Sequence, residues 1–330
     1  MTYSTGNIIQ ATDYNGFSST TANANVDDLW GTGAGNKGYG QSTTLGTVAA
    51  ASTVTATNWS ALCSRITSIA AHTGTTITTR TSPVTNDIIS ILAALNTDLT
   101  NCNNNRGNAV SSGTEYKTWT GSSAKTSDTG SGSTAWTITF THTVTWATAA
   151  AARYFFNAGG IIKWAVNKSS TGKLADAAWN DLANTLCGQI YITCGQSLTQ
   201  TINAVSYTGT KKINGTGTPT TLATTTGYYD FTGTPVTLYK QFDATAPYTT
   251  QYIQLNASVS GAVLTLTTTW VDPGGSTAPT TDVITGGSDT ASPFTSFGTA
   301  PATVVTYIPP EGTNLSATAW GTPTIAASVA

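Results

Sequence analysis

The sequence has very little charge. Only 8% of its 330 residues are Asp, Glu, Lys or Arg, and the formal net charge is -2, whereas an average soluble protein is about 25% charged. The largest basic cluster is the pair Lys211-Lys212. Proteins that bind nucleic acid or an anionic membrane need concentrated positive charge. The composition therefore argues against nucleic acid and membrane as partners.

Targeting and membrane-spanning signals are also lacking. The N-terminal stretch MTYSTGNIIQATDY has neither the basic nor the apolar region of a secretory signal. No apolar run approaches the roughly 20 residues that a membrane-spanning helix needs. We therefore expect a protein that is made in a cytoplasm and does not insert into a membrane.

Residues typical of metal sites and nucleophilic catalysis are few. The four cysteines form no CxxC pair, and we expect them to be buried free thiols. His72 ends a predicted helix, as a C-terminal cation or a simple cap, and His142 is expected to be a hydrogen-bonded core residue of a strand. The sequence contains no GxSxG motif, and the spacing of its Asp and Glu residues does not indicate the pair of carboxylates that a glycosidase needs. We predict no catalytic residue, no metal site and no cofactor.

A glycine-rich stretch, GTGAGNKGYGQ, follows the first predicted helix. Residues 33–38 match the spacing GxGxxG, but a dinucleotide-binding loop follows a buried strand and precedes a helix, and this stretch has neither neighbour. The glycines instead predict a loop that passes close to another backbone. Trp30, Lys37 and Tyr39 then become candidate contact residues.

The first third of the chain is predicted to be helical. Thr12-Asp13 is expected to cap a helix that runs toward Trp30, and Thr57 or Asn58 to cap a second helix. Asn86-Asp87 is expected to cap a third, because apolar residues follow it at helical spacing. These elements predict a small helical domain over residues 1–112.

Residues 113–330 have the pattern of a β-rich domain. The stretch WTITFTHTVTW, residues 136–146, alternates between apolar and threonine positions without a slip, which is typical of a strand with one buried face. QYIQLNASV and AVLTLTTTWV are separated by Ser260-Gly261, which predicts a hairpin. Two short helices, in ATAAAARYFFNAGG and DAAWNDLANTL, interrupt the strands. The predicted fold class is α+β, with a mainly antiparallel β-sandwich or jelly-roll-like domain that carries short helical insertions.

Threonine supplies about a fifth of the chain. Alternating threonines occur at 137–145 and 265–269, and flat threonine arrays of this kind can order water in ice-binding proteins. Such arrays need strands stacked in register, and the two runs share no period in the sequence. We expect them to form a solvent-facing strand surface, because threonine is a strong uncharged β-former.

Four segments resemble virion structural proteins of tailed, cyanophage-like bacteriophages. They are GNIIQATDYNGF (6–17), VDDLWGTGAGNKGYGQ (26–41), TITFTHTVTWATAAAARYFFNAGGIIKWAV (137–166) and WNDL (179–182). Together they cover roughly a quarter of the chain. The strand after the ARYFFNAGG helix leads in many such proteins to an Arg-Gly-Gly turn, whereas this chain has NKSSTGK at 167–173. The resemblance therefore implies no functional residue in the loop 167–173.

The resemblance implies a structural protein of a phage tail, neck or fibre, located in the virion and without enzymatic activity. Such a protein is expected to form a homo-oligomer, either a trimer or a ring, and to contact other virion proteins. Its N-terminal region would dock on the virion or on a neighbouring subunit. The candidate docking residues are Tyr14, Asn15, Phe17, Trp30, Lys37 and Tyr39.

Three other functions stay open at the level of sequence. A capsid decoration protein would have the same composition at a different place in the virion. A carbohydrate-binding module would use aromatic residues of the β-domain to bind a glycan on the host surface. An enzyme that degrades such a glycan would need two acids from separate strands.

Overall fold

A computed structural model describes residues 10–19, 25–84, 94–109, 117–118, 123–124, 136–169, 174–246, 248–273 and 301–330. The α-helices are α1 (Ala11–Ser18), α2 (Val26–Trp30), α3 (Ala56–Thr73), α4 (Leu95–Asn104), α5 (Ala149–Asn157) and α6 (Leu174–Asn180). The first seven strands are β1 (Lys117–Thr118), β2 (Ser123–Ala124), β3 (Trp136–Thr145), β4 (Ile161–Asn167), β5 (Gln189–Ile192), β6 (Gln200–Ile202) and β7 (Val205–Tyr207). The other seven are β8 (Thr210–Ile213), β9 (Thr221–Leu222), β10 (Val236–Phe242), β11 (Tyr252–Ser260), β12 (Val263–Asp272), β13 (Ala302–Ile308) and β14 (Thr324–Val329).

Two antiparallel sheets form the body of the protein. The first sheet has the order β1-β13-β4-β5-β8, with β2 also paired to β13, and the second has the order β14-β3-β12-β11-β10-β9. The hairpin β6-β7 packs against β4, where Ile161, Ile202 and Tyr207 form a small separate cluster. The predicted α+β fold with an antiparallel sandwich is confirmed.

Strand β3 shows how the sequence pattern produces the sandwich. Ile138, Phe140, His142 and Val144 are buried, whereas the threonines between them are partly or fully exposed. Because side chains alternate between the faces of a strand, one face of β3 enters the core and the other faces outward. Full burial of an aliphatic or phenylalanine side chain stabilises the fold by about 1.5–3 kcal/mol.

Polar groups join the two sheets across the core. The indole Nε1 of Trp164 on β4 donates to Oγ1 of Thr268 on β12, at 2.8 Å. His142 on β3 is fully buried in the same core, where it interacts with the backbone of Thr303 on β13. The prediction that His142 is a core residue of a strand is therefore confirmed, and the Trp164–Thr268 bond joins the two sheets directly.

The N-terminal helices follow local capping signals. Helix α1 ends at Ser18, and a separate helix α2 begins after Asn25, whose side chain accepts from the Asp28 amide at 2.8 Å. The prediction of one helix reaching Trp30 was wrong, because the cap at Asn25 starts a new helix. Helix α3 begins at a capping box formed by Thr55 and Asn58.

Later elements fall close to their predicted positions. Helix α5 is capped by Thr148, and a π-helical stretch, Asp181–Cys187, continues α6. The β11-β12 turn consists of Gly261-Ala262, one residue later than predicted, because Ser260 pairs with Val263. The expected cap at Asn86-Asp87 lies outside the described residues.

One hydrophobic cluster unites the N-terminal helices with both sheets, since it includes Tyr14 and Leu62 as well as Phe140 and Trp164. The division into domains 1–112 and 113–330 stays a prediction, because residues 110–116 lie outside the described part of the chain. Among the helices described, none is long and apolar enough to cross a membrane.

Candidate functional site

Four of the six candidate docking residues lie in the core. Tyr14, Phe17, Trp30 and Tyr39 expose 1%, 4%, 7% and 2% of their surface. The Tyr14 ring packs edge-on against the Trp59 ring, with centroids 5.5 Å apart. These side chains support the surface rather than form it, and their part in docking stays a prediction.

The other two candidates are partly exposed and tie loops together. Asn15 on α1 donates to the Val48 carbonyl at 2.9 Å and accepts from the Val48 amide at 2.7 Å. Lys37 lies 3.9 Å from the Asp28 carboxylate, and both side chains are about one-third exposed. Only Lys37 therefore presents a charge at the surface.

Lys37 belongs to the stretch 31–41, which we call the glycine loop. Its end pairs with helix α2 through the Tyr39 amide and the Leu29 carbonyl, 3.0 Å apart. Gly40 has a φ of 67°, and an added Cβ would lie 2.1 Å from the Tyr154 ring on α5. Only glycine fits this contact. The predicted close approach to another backbone is confirmed at Gly33, where an added Cβ would lie 2.1 Å from the Asp28 carbonyl oxygen.

Helix α5 holds the glycine loop by its carbonyl oxygens. The Arg153 guanidinium donates to the carbonyls of Gly33, Gly35 and Lys37, the last two at 3.0 and 3.2 Å. Asn157, one turn further along, donates to the Lys37 carbonyl at 2.9 Å. It also donates to the carbonyls of Gly35 and Gly38, at 3.3 and 3.0 Å. Arg153 and Asn157 lie at i and i+4, on one side of the helix.

Two further groups complete this arrangement. The Tyr229 hydroxyl donates to the Gly35 carbonyl at 2.8 Å and lies 2.6 Å from Oδ1 of Asn157. Asn36 donates to the Ser197 carbonyl and accepts from the Arg106 guanidinium at 3.0 Å. We call the Arg153, Asn157 and Tyr229 contacts the loop clamp. Because the clamp occupies the converging carbonyls, the loop is suited to present a fixed surface.

The base of the loop leads to a buried hydrogen bond between a histidine and a carboxylate. The Tyr39 ring packs edge-on against His72, and Nδ1 of His72 lies 2.8 Å from Oε1 of Glu311. Burial raises the pKa of Glu311, but hydrogen bonds from His72 and the amides of Asn314 and Thr313 outweigh it and bring the pKa to about 2. His72 lies in the last turn of α3, as predicted, but the C-cap of the helix is Gly74, and the His72 side chain is fully buried and bonded to Glu311.

Sequence reasoning missed Arg153, Asn157, Tyr229 and Glu311. The first two had a visible signal, since they are polar residues at i and i+4 within an otherwise apolar helix. Tyr229 and Glu311 had none, because each contacts a residue at least 70 positions away. The sequence alone does not reveal such pairs.

The outward face of the second sheet is a distinct surface. Thr139, Thr141 and Thr143 of β3 stand directly opposite Thr269, Thr267 and Thr265 of β12, in that order. All six are partly exposed. We call this surface, together with the outward residues of β10 and β11, the threonine face. The two threonine runs share no period in the sequence, but antiparallel pairing brings them into register.

The described residues contain no group of three or more His, Cys, Asp or Glu that could hold a metal ion. The cysteines are free thiols, and burial raises the pKa of Cys102 to about 11 and of Cys187 to about 12. Thiols with such pKa values are weak nucleophiles at neutral pH. The prediction of free thiols is confirmed, although Cys63 is only partly buried.

Comparison of the chain with protein-family models, curated proteins and solved structures found no match.

Proposed function

We propose that the protein is a structural component of a phage virion, in the tail, neck or a fibre, and that it docks on a neighbouring subunit through the glycine loop. The observation that supports this proposal most strongly is the loop clamp. The glycine loop lies in one segment that resembles phage virion proteins, while Arg153 and Asn157 lie in another. Two segments that are distant in sequence thus form one structural unit. This gives a physical reason why phage virion proteins would contain both segments.

The glycine loop has the properties of a docking surface. Thr32 and Ala34 are exposed at its tip, and the clamp holds the backbone beneath them. A loop that is already ordered loses little conformational entropy on binding, so more of the contact energy appears as affinity. The low charge of the chain makes such contacts insensitive to ionic strength, which suits a particle outside the cell.

A capsid decoration protein would use the same architecture at another place on the particle. The homo-oligomeric state, a trimer or a ring, belongs to the same proposal. A glycan-binding role is favoured by a separate observation, the chemistry of the threonine face, and is argued below.

The docking surface is tested by Ala34→Arg, which adds a long charged side chain at the exposed tip of the loop. Ala71→Arg makes the same change at an exposed position of α3. Phage carrying either variant is purified, and the protein is quantified in the particles by mass spectrometry. We expect Ala71→Arg to be incorporated as the wild type is, and Ala34→Arg at least about tenfold less, which corresponds to about 1.4 kcal/mol.

Equal incorporation of both variants would contradict docking through the loop, and absence of the wild-type protein from particles would contradict the virion role. Deletion of residues 1–41 is a poorer test, because it removes Tyr14, Trp30 and Tyr39 from the core.

A further inference from the structure

The threonine face carries hydroxyl groups that the protein does not use. Among the described residues, no side-chain hydrogen bond is made by Thr139, Thr141 and Thr143 of β3, or by the three β12 threonines opposite them. Threonines elsewhere do bond to the chain, as Thr193 does to the Gly209 carbonyl at 3.0 Å. A hydroxyl both donates and accepts, so this face offers a regular array of groups that water or a ligand must satisfy.

Amide groups extend the array onto β11 and β10. Asn256 stands opposite Thr267, and Gln254 stands opposite Thr269. The Gln254 side chain donates to Oδ1 of Asn256 at 3.0 Å and to Oγ1 of Thr237 on β10 at 3.4 Å, which holds the two amides side by side. The Asn256 Nδ2 then has no partner within the described residues.

Two aromatic rings lie at one end of the same face. Phe242 of β10 stands opposite Tyr252 of β11, with ring centroids 5.1 Å apart, and both side chains are partly exposed. The Lys240 ammonium lies 3.6 Å from the Tyr252 ring centroid and 4.7 Å from that of Phe242. Lys240 is the single charged residue among those we assign to the face, and its flexible stem lets the ammonium leave the ring at low cost.

We propose that the threonine face binds an uncharged glycan chain, with a sugar ring against Tyr252 and its hydroxyl groups bonded to the neighbouring amides and threonines. A pyranose ring has an apolar C–H face that packs on an aromatic ring, and hydroxyls around its edge that both donate and accept. The threonine face has the same two properties side by side. This inference goes beyond the virion role, does not depend on it, and uses no residue of the glycine loop.

Other occupants fit the face less well. A second copy of the chain would have to bury the Lys240 ammonium of both copies, and a buried charge without a partner is costly. A nucleic acid or acidic polysaccharide would need more cations than Lys240 supplies. An ice-like water layer needs no aromatic ring, whereas the face ends in two.

The test is a glycan array with neutral and acidic oligosaccharides, followed by affinity electrophoresis of the purified protein in gels that contain dextran, laminarin or galactomannan. We expect binding to at least one neutral glycan. Tyr252→Ala should weaken it about tenfold or more, since the packing of an aromatic ring and its buried area contribute more than about 1.4 kcal/mol. Circular dichroism and thermal unfolding of each variant check that the fold is kept.

The hydroxyls are tested by the double variant Thr141→Val and Thr267→Val, which keeps the β-branched shape and removes two adjacent hydroxyls. Thr76→Val, at an exposed position outside the sheets, is the matched control. We expect the double variant to bind several-fold more weakly and the control to bind as the wild type does. Lys240→Ala should bind at least as tightly, because the ammonium no longer covers Tyr252.

Three results would overturn the proposal. One is the lack of binding to any neutral glycan. Another is unchanged affinity of both Tyr252→Ala and the double valine variant while both remain folded. The third is binding restricted to acidic glycans and abolished by Lys240→Ala, which would indicate recognition of charge.

Discussion

Each of the two histidines is buried beside a partner distant in the chain, and the two differ in their chemistry. His142 lies between the sheets with its pKa lowered to about 4, because burial disfavours the charged imidazole more than the Thr303 backbone bond favours it. His72 is hydrogen-bonded to the Glu311 carboxylate. The two sites therefore respond to acid in different pH ranges.

His142 should make the protein less stable as the pH falls from about 6.5 to about 4. The unfolded chain takes up a proton in this range, whereas the folded chain excludes it, so unfolding becomes more favourable. The shift corresponds to about 3 kcal/mol. Urea unfolding at pH 7, 5.5 and 4 should show this loss in the wild type and a smaller loss in His142→Leu. Parallel pH curves for the two proteins would show that the histidine does not titrate as described.

Glu311 should respond at lower pH. Its folded-state pKa of about 2 lies below the ordinary 4.5, so its stabilising effect is complete above pH 4.5 and is lost as the pH falls through 2. Glu311→Gln should lower the free energy of unfolding by about 3 kcal/mol at pH 7, because the neutral amide loses the stabilisation that hydrogen bonds from His72, Asn314 and Thr313 give to the ionised carboxylate. We expect the difference between the two proteins to shrink between pH 4.5 and 2. A constant difference across that range would contradict an ionised Glu311.

At the scale of elements, the contact between helix α5 and the glycine loop depends on two side chains, Arg153 and Asn157, each of which donates to several carbonyls. Asn157→Ala removes the donor to Gly35, Lys37 and Gly38. We expect the amides of residues 39–41, which bond to helix α2 and the start of the loop, to exchange with deuterium about tenfold faster or more. Asn104→Ala, at an exposed position of α4, should leave these rates unchanged. Equal rates in all three proteins would mean that the clamp does not order the loop.

Two glycines of the loop provide a matched pair of substitutions. Gly35 and Gly40 both have positive φ, 59° and 67°, but a Cβ at Gly35 meets nothing within 4 Å. Gly35→Ala should therefore cost about 1–2 kcal/mol, the penalty of the left-handed backbone alone. Gly40→Ala adds a clash with the Tyr154 ring and should cost at least about 2 kcal/mol more. Equal costs in urea unfolding would show that the ring moves away freely.

The helices show how far local signals extend. Helix α5 was predicted within ATAAAARYFFNAGG, and its observed cap at Thr148 is a local signal, because caps act over three or four residues. The partners of Arg153 and Asn157 were not predicted, because they lie more than 110 positions earlier in the chain. The split between α1 and α2 was missed because the cap at Asn25 was not recognised.

At the scale of the whole molecule, alternation along each strand predicted the sandwich but not the order of its strands. Strand β3 lies between β12 and β14, which come more than 100 residues later. Local patterns set which face of a strand is buried, whereas strand order depends on contacts across the whole chain. The sequence predicted that these threonines face solvent but not their register, which exists only once β3 and β12 are paired.

Cryo-EM of the virion in which we propose the protein resides would show directly whether it docks through the glycine loop. We expect density for the two sheets in the tail, neck or a fibre, with residues 31–41 in contact with a neighbouring subunit. Density on the capsid surface would support the decoration protein instead. Absence of the chain from the particle, or a loop that faces solvent in every copy, would contradict the claim.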